Sequence, residues 1–457
     1  MEESIFVFLL RIFIFIKMSV NNKPLKSFSA KNFINQESIG GLILIACTII
    51  AVIWANSGFY DLYHHVWHEI EMGFVLGNIN TVASVGHWIN DGLMALFFFA
   101  IGLEIKREIV GGELSSMKKA ALPLAAAVGG MFIPAIFYVI VNVSNPENMN
   151  GWGVPMATDI AFALGLLAML GKRVPISLKI FLTALAVADD LGAVLVIAVF
   201  YTKSIDLNEL MMGGFFLVVL IGANYFGVRR TVFYALVGFL GVWLAFVFSG
   251  VHATIAGVLI AFTIPARTKI SDAEYANSLC KLTEDFKGAD SNKNKLLTKE
   301  QLHIITEIEK VSKKAHTPLQ NLEHALHPIT TFLILPLFAL SNAGVRIEGN
   351  IMELILSPIS IGIIIGLVLG KPVGIVLASK LLVKLKKATL PEGTTWNHIY
   401  GVGFLAGIGF TMSIFISELA FETDENKQIA KVGIFVASIL SAIIGMVLLS
   451  RTKVPDK

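Results

Sequence analysis

Residues 182–200 read LTALAVADDLGAVLVIAVF. The run is apolar and of membrane-crossing length, since a spanning helix needs about 20 mostly apolar residues. Two aspartates, Asp189 and Asp190, stand side by side near its middle. A single charge at that depth costs on the order of 3 kcal/mol or more. A segment that bears this twice is either packed around a buried ion pair or built around an ion site, and the rest of the chain must decide between the two.

The 457-residue chain is 55% hydrophobic and only 15% charged, against roughly 25% charged residues in a soluble domain. Its mean hydropathy is +0.74. These values describe an all-α polytopic membrane protein. The net charge of +3 says little; the distribution of charge says more. The two cysteines, Cys47 in an apolar run and Cys280 in a polar one, form no disulfide framework and have no metal-type spacing. The N-terminal SIFVFLLRIFIFIK is short and interrupted by Arg11, a poor span. No small-residue cleavage site precedes KMSVNNKPLK, which argues against a signal peptide. Met18 is an alternative start, which would leave residues 1–17 untranslated.

Twelve apolar runs follow, near 39–56, 88–105, 119–142, 150–171, 176–201, 207–226, 231–249, 251–265, 328–345, 356–382, 396–422 and 428–450. The loops test this count, because cytoplasmic loops hold the Lys and Arg. Lys23, Lys26 and Lys31 precede the first run, and YDLYHHVWHEIEMGF after it has no Lys or Arg. Lys106, Arg107, Lys118 and Lys119 follow the second; NVSNPENMNGWG after the third has none. The alternation continues through Lys172 and Arg173, the lone Lys203, Arg229 and Arg230, and the bare FSGVHA. Residues 266–327 then hold ten Lys or Arg. Twelve spans with both termini inside fit every loop. The chain divides into a cytoplasmic extension at 1–35, eight spans in 36–265, a charged cytoplasmic insert at 266–320, four spans in 321–451 and a tail at 452–457.

Within the insert, TKEQLHIITEIEKVSKKA reads as an amphipathic helix. Thr298 and Gln301 match a capping box, and Leu302, Ile305 and Ile308 share one face. DSNKNKLLTKEQ mimics a calcium loop at Asp290, Asn292 and Asn294, but Lys295 and Gln301 stand where Gly and Glu are required, so calcium is rejected.

Three carboxylates lie well inside spans, Asp159, Asp189 and Asp190; Asp91 lies near the end of another, and Lys371 sits mid-span in IIIGLVLGKPVGIVLASK. Simple pairing leaves acids over, and surplus buried acids are either protonated or hold a cation. That is the chemistry of a site where protons and metal cations compete. Adjacent helical residues point about 100° apart, so one aspartate can face a cavity while the other pairs laterally with Lys371. GWGVPMATDIAFALG, with Pro155 ahead of Thr158 and Asp159, and GVGFLAGIGFTMSIF, with four glycines in nine residues, suggest two discontinuous helices. GLVLGKP has the wrong glycine spacing and Pro372 in place of Ser or Thr for a phosphate-binding loop, so no nucleotide is expected.

GWGVPMATDIAFALG, KIFLTALAVADDLGA, SGVHATIAGV, LEHALHP, GKPVGI, LPEGTT and GIGFTMSIFI together resemble the NhaA family of bacterial sodium/proton antiporters, from about residue 36 to 450. The resemblance implies about twelve transmembrane helices, helices 3–5 and 10–12 as inverted repeats, and helices 4 and 11 discontinuous. It implies an electrogenic, pH-regulated Na⁺(Li⁺)/H⁺ antiporter of the inner membrane, serving sodium and pH homeostasis. No cofactor and no nucleic acid are implied; a homodimer is. Asp190 looks like the principal sodium and proton carrier, with Asp189 as the neighbour exchanging a salt bridge with Lys371, so that Asp190 and Asp189 hold Na⁺ or Li⁺. Thr158 and Asp159 fall where the broken helices meet, and Asp91 looks like a further transport-linked acid. Glu104, Arg107 and Glu108, with Glu323, His324 and His327, match the family's pH-sensing cluster, and His252 a further pH-linked position. The insert and the N-terminal extension depart from the family's usual length. His324 and His327, spaced i, i+3, lack a third ligand for a bound metal and suit a sensor instead. A secondary transporter is therefore expected rather than an enzyme. An intramembrane aspartyl protease would need its two acids on separate helices, and a cation channel would not need a buried lysine competing for its acids.

Overall fold

The computed structural model describes residues 30–73, 75–76, 79–202, 205–289, 296–346 and 350–452. The extension at 1–17, Lys23, Lys26, Lys203 and the calcium-loop mimic at Asp290, Asn292 and Asn294 lie outside the described residues.

Among the described residues, seven helices are long and apolar enough to cross a membrane, including Met117–Asn142, Ile176–Phe200, Pro318–Asn342 and Pro358–Lys384. Two more spans arise if each bent pair counts as one: Pro146–Met156 with Ile160–Met169, bent by 44°, and Trp396–Ala406 with Phe410–Ala420, bent by 45°. The remaining expected runs fall on shorter or more polar helices, Ile39–Ala55, Ala253–Thr263, and Met94–Gly111 with the π-helical turn Trp88–Leu93 before it. The protein is thus a polytopic helical membrane protein with side chains such as Phe132, Val199 and Phe215 left exposed on its flanks. In water such a surface would be a liability; toward lipid tails it is the required one.

Both breaks are written in local chemistry. Pro155 ends the first half-helix of one pair, Ala157 is extended, and Asp159 starts the second half by accepting from Phe162 N at 3.0 Å. In the other pair Gly407 closes the first half, and a Cβ there would strike the Leu367 carbonyl oxygen. Glycine also sets the crossing of Met117–Asn142 on Pro358–Lys384. A Cβ on Gly129 would land on the Gly374 carbonyl, and one on Gly374 would land on that of Gly129. Small residues let these backbones touch, and Lys371 lies one turn from the contact.

The loop after the first helix is structured. Tyr60–His64 leads into a π-helical turn, His65–Glu69, and then a small hairpin pairs Glu71 with Ser84 and Val75 with Asn80. The insert is a helical hairpin, Asp272–Gly288 and Lys299–Ala315, each opened by a full capping box, at Ser271/Glu274 and Thr298/Gln301. Tyr275 and Ser312 hydroxyls meet at 3.2 Å between them. Of the face shared by Leu302, Ile305 and Ile308, Ile305 is partly buried. Gln301 and Ile304 are buried, with Ile308 and Val311 partly so, while Leu302 is exposed.

Candidate ion-binding site

The two broken pairs cross, and each supplies the hydrogen bonds that the other's break leaves open. Asp159 N donates to Ile408 O at 2.7 Å, and Thr158 Oγ1 to Ala406 O at 2.9 Å. Thr411 donates to Asp159 Oδ2 through its backbone N at 3.1 Å and its Oγ1 at 2.5 Å. Ser413 Oγ reaches Val154 O at 2.8 Å. Non-helical backbone is tolerated at membrane depth only when satisfied in this way. Asp159 joins both pairs, one carboxylate oxygen capping its own half-helix and the other gripping the opposite one.

Beside the crossing, Lys371 Nζ lies 2.7 Å from Asp189 Oδ2, both side chains almost wholly buried. The ammonium also donates to the carbonyl of Met156, the last residue of a half-helix, where the exposed ends of backbone dipoles favour a cation. Asp190, the next residue, makes no hydrogen bond or ion pair among the described residues. It borders a cavity of about 110 Å³, together with Thr158, Asp159, Glu104, Arg107, Glu323 and His327.

At one side of this cavity Arg107 bridges three carboxylates, Glu323 at 2.6 Å, Glu108 at 2.8 Å and Glu104 at 3.7 Å. His327 Nδ1 lies 3.3 Å from Thr331 Oγ1. The structure therefore brings Asp190, Asp159, Thr158, Glu104, Arg107, Glu323 and His327 to one cavity, with Asp189 and Lys371 packed beside it and Glu108 attached through Arg107. His324 is exposed and does not line the cavity. Asp91 does not line it either; it pairs with His87 at 3.2 Å beside Trp243. Sixteen residues of continuous helix separate Asp91 from Arg107, about 24 Å at 1.5 Å per residue. His252 is likewise apart, meeting Tyr201 O at 2.9 Å next to a different cavity that holds Glu418 and Lys427.

Outside the spans, the loop carboxyl of Glu69 is held below its usual range by hydrogen bonds from His65 at 2.7 Å and His64 at 3.2 Å. The motif reading missed Thr183, Thr330, Thr331 and Thr411, all of which line the Asp190 cavity, and the Met156 carbonyl. Thr183 precedes Asp190 by seven residues, two helical turns on the same face, and that spacing is visible in the sequence.

Buried titratable groups where two broken, crossed helices meet beside a cavity bordered by carboxylates and hydroxyls define a membrane protein built to hold ions. Residues 31–449 match the family described as Na+/H+ antiporter 1. The "Na(+)/H(+) antiporter NhaA 1" of Psychromonas ingrahamii is 50% identical over 420 residues, covering 92% of this chain and 95% of that one. The "Na(+)/H(+) antiporter NhaA" of Oleidesulfovibrio alaskensis is 48% identical over 432 residues, covering 93% and 95%. That of Wolinella succinogenes is 47% identical over 420 residues, covering 92% of each. The chain belongs to the NhaA family of Na⁺/H⁺ antiporters.

Proposed function

We propose that this protein exchanges Na⁺ for H⁺ across the membrane as a secondary transporter, electrogenically and under pH control, and that Li⁺ is also carried. The observation that carries the reading is the division of labour between adjacent aspartates. Asp189 is neutralised by Lys371, whereas Asp190 borders a cavity and has no hydrogen-bond or ion-pair partner among the described residues. A buried carboxylate so placed must hold either a proton or a cation. Competition between the two for one carboxylate is the exchange reaction.

In this reading Asp190 is the carrier, Asp189 and Lys371 form a pair that opens when Na⁺ binds, and Thr158 and Asp159 hold the crossing beside the ion. Asp91 contributes from the far end of its helix. Glu104, Arg107, Glu108, Glu323, His324 and His327 set the activating pH, with His252 acting from the opposite side. The alternation of basic and non-basic loops supports twelve spans in the inner membrane with both termini cytoplasmic. The two bent pairs support an inverted repeat of helices 3–5 and 10–12. A homodimer is part of the same reading.

The test uses everted vesicles energised to an acid-inside ΔpH. Added Na⁺ or Li⁺ should collapse ΔpH, and choline should not. No response to either cation between about pH 6.5 and 9, a window that spans histidine titration, would sink the exchange reading.

A further inference from the structure

Five threonine hydroxyls border the Asp190 cavity: Thr158 from the break between two half-helices, and Thr183, Thr330, Thr331 and Thr411 from three helices. Thr158 and Thr411 are occupied in the helix crossing. The other three line the same cavity as Arg107, Glu323 and Asp190. Thr183 sits two turns ahead of Asp190 on Ile176–Phe200, and Thr330 sits two turns beyond Glu323 on Pro318–Asn342.

Two of these hydroxyls are disposed in one way. Thr183 donates its proton to Lys179 O at 3.1 Å, and Thr330 donates to His327 O at 2.9 Å. Thr331 is engaged with His327 Nδ1 at 3.3 Å, and Thr330 and Thr331 are both buried. A hydroxyl has one proton and two lone pairs. For Thr183 and Thr330 that proton is returned to the helix's own carbonyl, which leaves acceptor capacity at the cavity; Thr331 spends one position on His327 and keeps an oxygen lone pair there. Buried acceptors require a partner, and these face a space that also holds the carboxylates of Glu104 and Asp190. Neutral oxygen acceptors with a nearby carboxylate are the ligand set of a hard cation.

We infer that Thr183, Thr330 and Thr331, with the charge of Glu104, form a second, shallower site for a small alkali cation on the path to Asp190. It takes Na⁺ or Li⁺ part-way out of its hydration shell before the carboxylate is reached. The inference rests on the exchange reading above and adds a specificity-determining step to it.

The experiment uses the full-length protein in everted vesicles, with Na⁺ and Li⁺ titrated separately at fixed pH and protein quantified in the membrane. Thr→Val removes the oxygen and keeps the shape; Thr→Ser keeps the oxygen. T183V, T330V and T331V should each raise the apparent KM about three- to tenfold, the range of one lost polar contact. The effect on KM should exceed that on maximal rate and should differ between Na⁺ and Li⁺, and serine should restore the wild-type value. Unchanged KM for both cations in all three valine variants would overturn the site and leave oxygens that merely hold water. Equal impairment by valine and serine would also overturn it, since shape would then be the cause. Where a valine variant does not accumulate, cysteine at that position gives the same readout with a sulfur that is a poor alkali-cation ligand. A wild type that ignores Na⁺ would instead remove the exchange reading itself.

Discussion

Lys371 Nζ lies 2.7 Å from Asp189 Oδ2, while Asp190, one residue on, borders the cavity instead. One peptide step along a helix turns a side chain by about 100°. That rotation separates two chemically identical groups, pairing one with Lys371 and turning the other to the cavity.

Asp190→Asn should therefore abolish exchange while the protein still inserts and folds. An amide of the same shape fills the same space but cannot cycle between a proton and a cation. Na⁺-dependent ΔpH dissipation should drop to the level of empty vesicles, with protein in the membrane unchanged. Wild-type-like ²²Na⁺ uptake by the variant would remove Asp190 from the mechanism.

Much of this arrangement was legible in the chain. Buried charge marked Asp189, Asp190 and Lys371 because a bilayer makes each one costly. Pro155 and the glycines around Gly407 marked the breaks because a helix interior does not tolerate them without replacement partners. What the sequence hid was convergence. Nothing in the spacing of Thr330 or Thr183 says that they line one cavity, since that depends on how separate helices pack. The placement of Asp91 was hidden in the same way: its local partner is His87, and it lies about 24 Å along its helix from the Arg107 cluster.

The crossing that carries Lys371 makes a packing prediction. A Cβ at Gly374 would meet the Gly129 carbonyl and then Ile133 Cβ at 3.1 Å. The rigid partner is backbone, so it cannot move aside alone. Gly374→Val should cost about 1–3 kcal/mol by overpacking. The melting temperature of the purified protein should fall, and exchange should fall with it as Lys371 shifts. A Gly374→Val protein that melts with the wild type would show that the close glycine contact does not set the position of Lys371.

The two histidines of NLEHALHP should behave differently from each other. His327 lines the Asp190 cavity and touches Thr331, whereas His324 is exposed outside it. His324→Ala should move the activating pH with the apparent KM for Na⁺ little altered. His327→Ala should change both, because it also alters the lining of the ion path. The check is a set of Na⁺ titrations from about pH 6.5 to 9, bracketing the histidine range. Identical effects of the two variants on KM would show that lining the cavity does not distinguish them.

The pair of Asp189 and Lys371 bears on the charge moved per cycle. Removing one partner of a buried ion pair costs about 3–5 kcal/mol, because the other charge is stranded. Asp189→Asn alone should therefore give an unstable protein, and the double variant Asp189→Asn with Lys371→Gln should recover much of that loss. In the wild type, Na⁺ binding that draws Asp189 away would leave Lys371 unpaired in a low-dielectric site, where an ammonium releases its proton readily. Lys371 would then be one proton carrier and Asp190 the other. Two protons would exchange for one Na⁺, and one net charge would cross per cycle. Each charge couples to the membrane potential by about 2.3 kcal/mol per 100 mV, enough to export Na⁺ against an inverted ΔpH. With the pair neutralised, only Asp190 remains to carry a proton, so the double variant should exchange Na⁺ for H⁺ one to one. Transport current on a solid-supported membrane, divided by ²²Na⁺ flux from the same preparation, should fall toward zero in the double variant. Undiminished current per Na⁺ would rule Lys371 out as a proton carrier. The melting temperature of the double variant, measured alongside, separates loss of the carrier from loss of the fold.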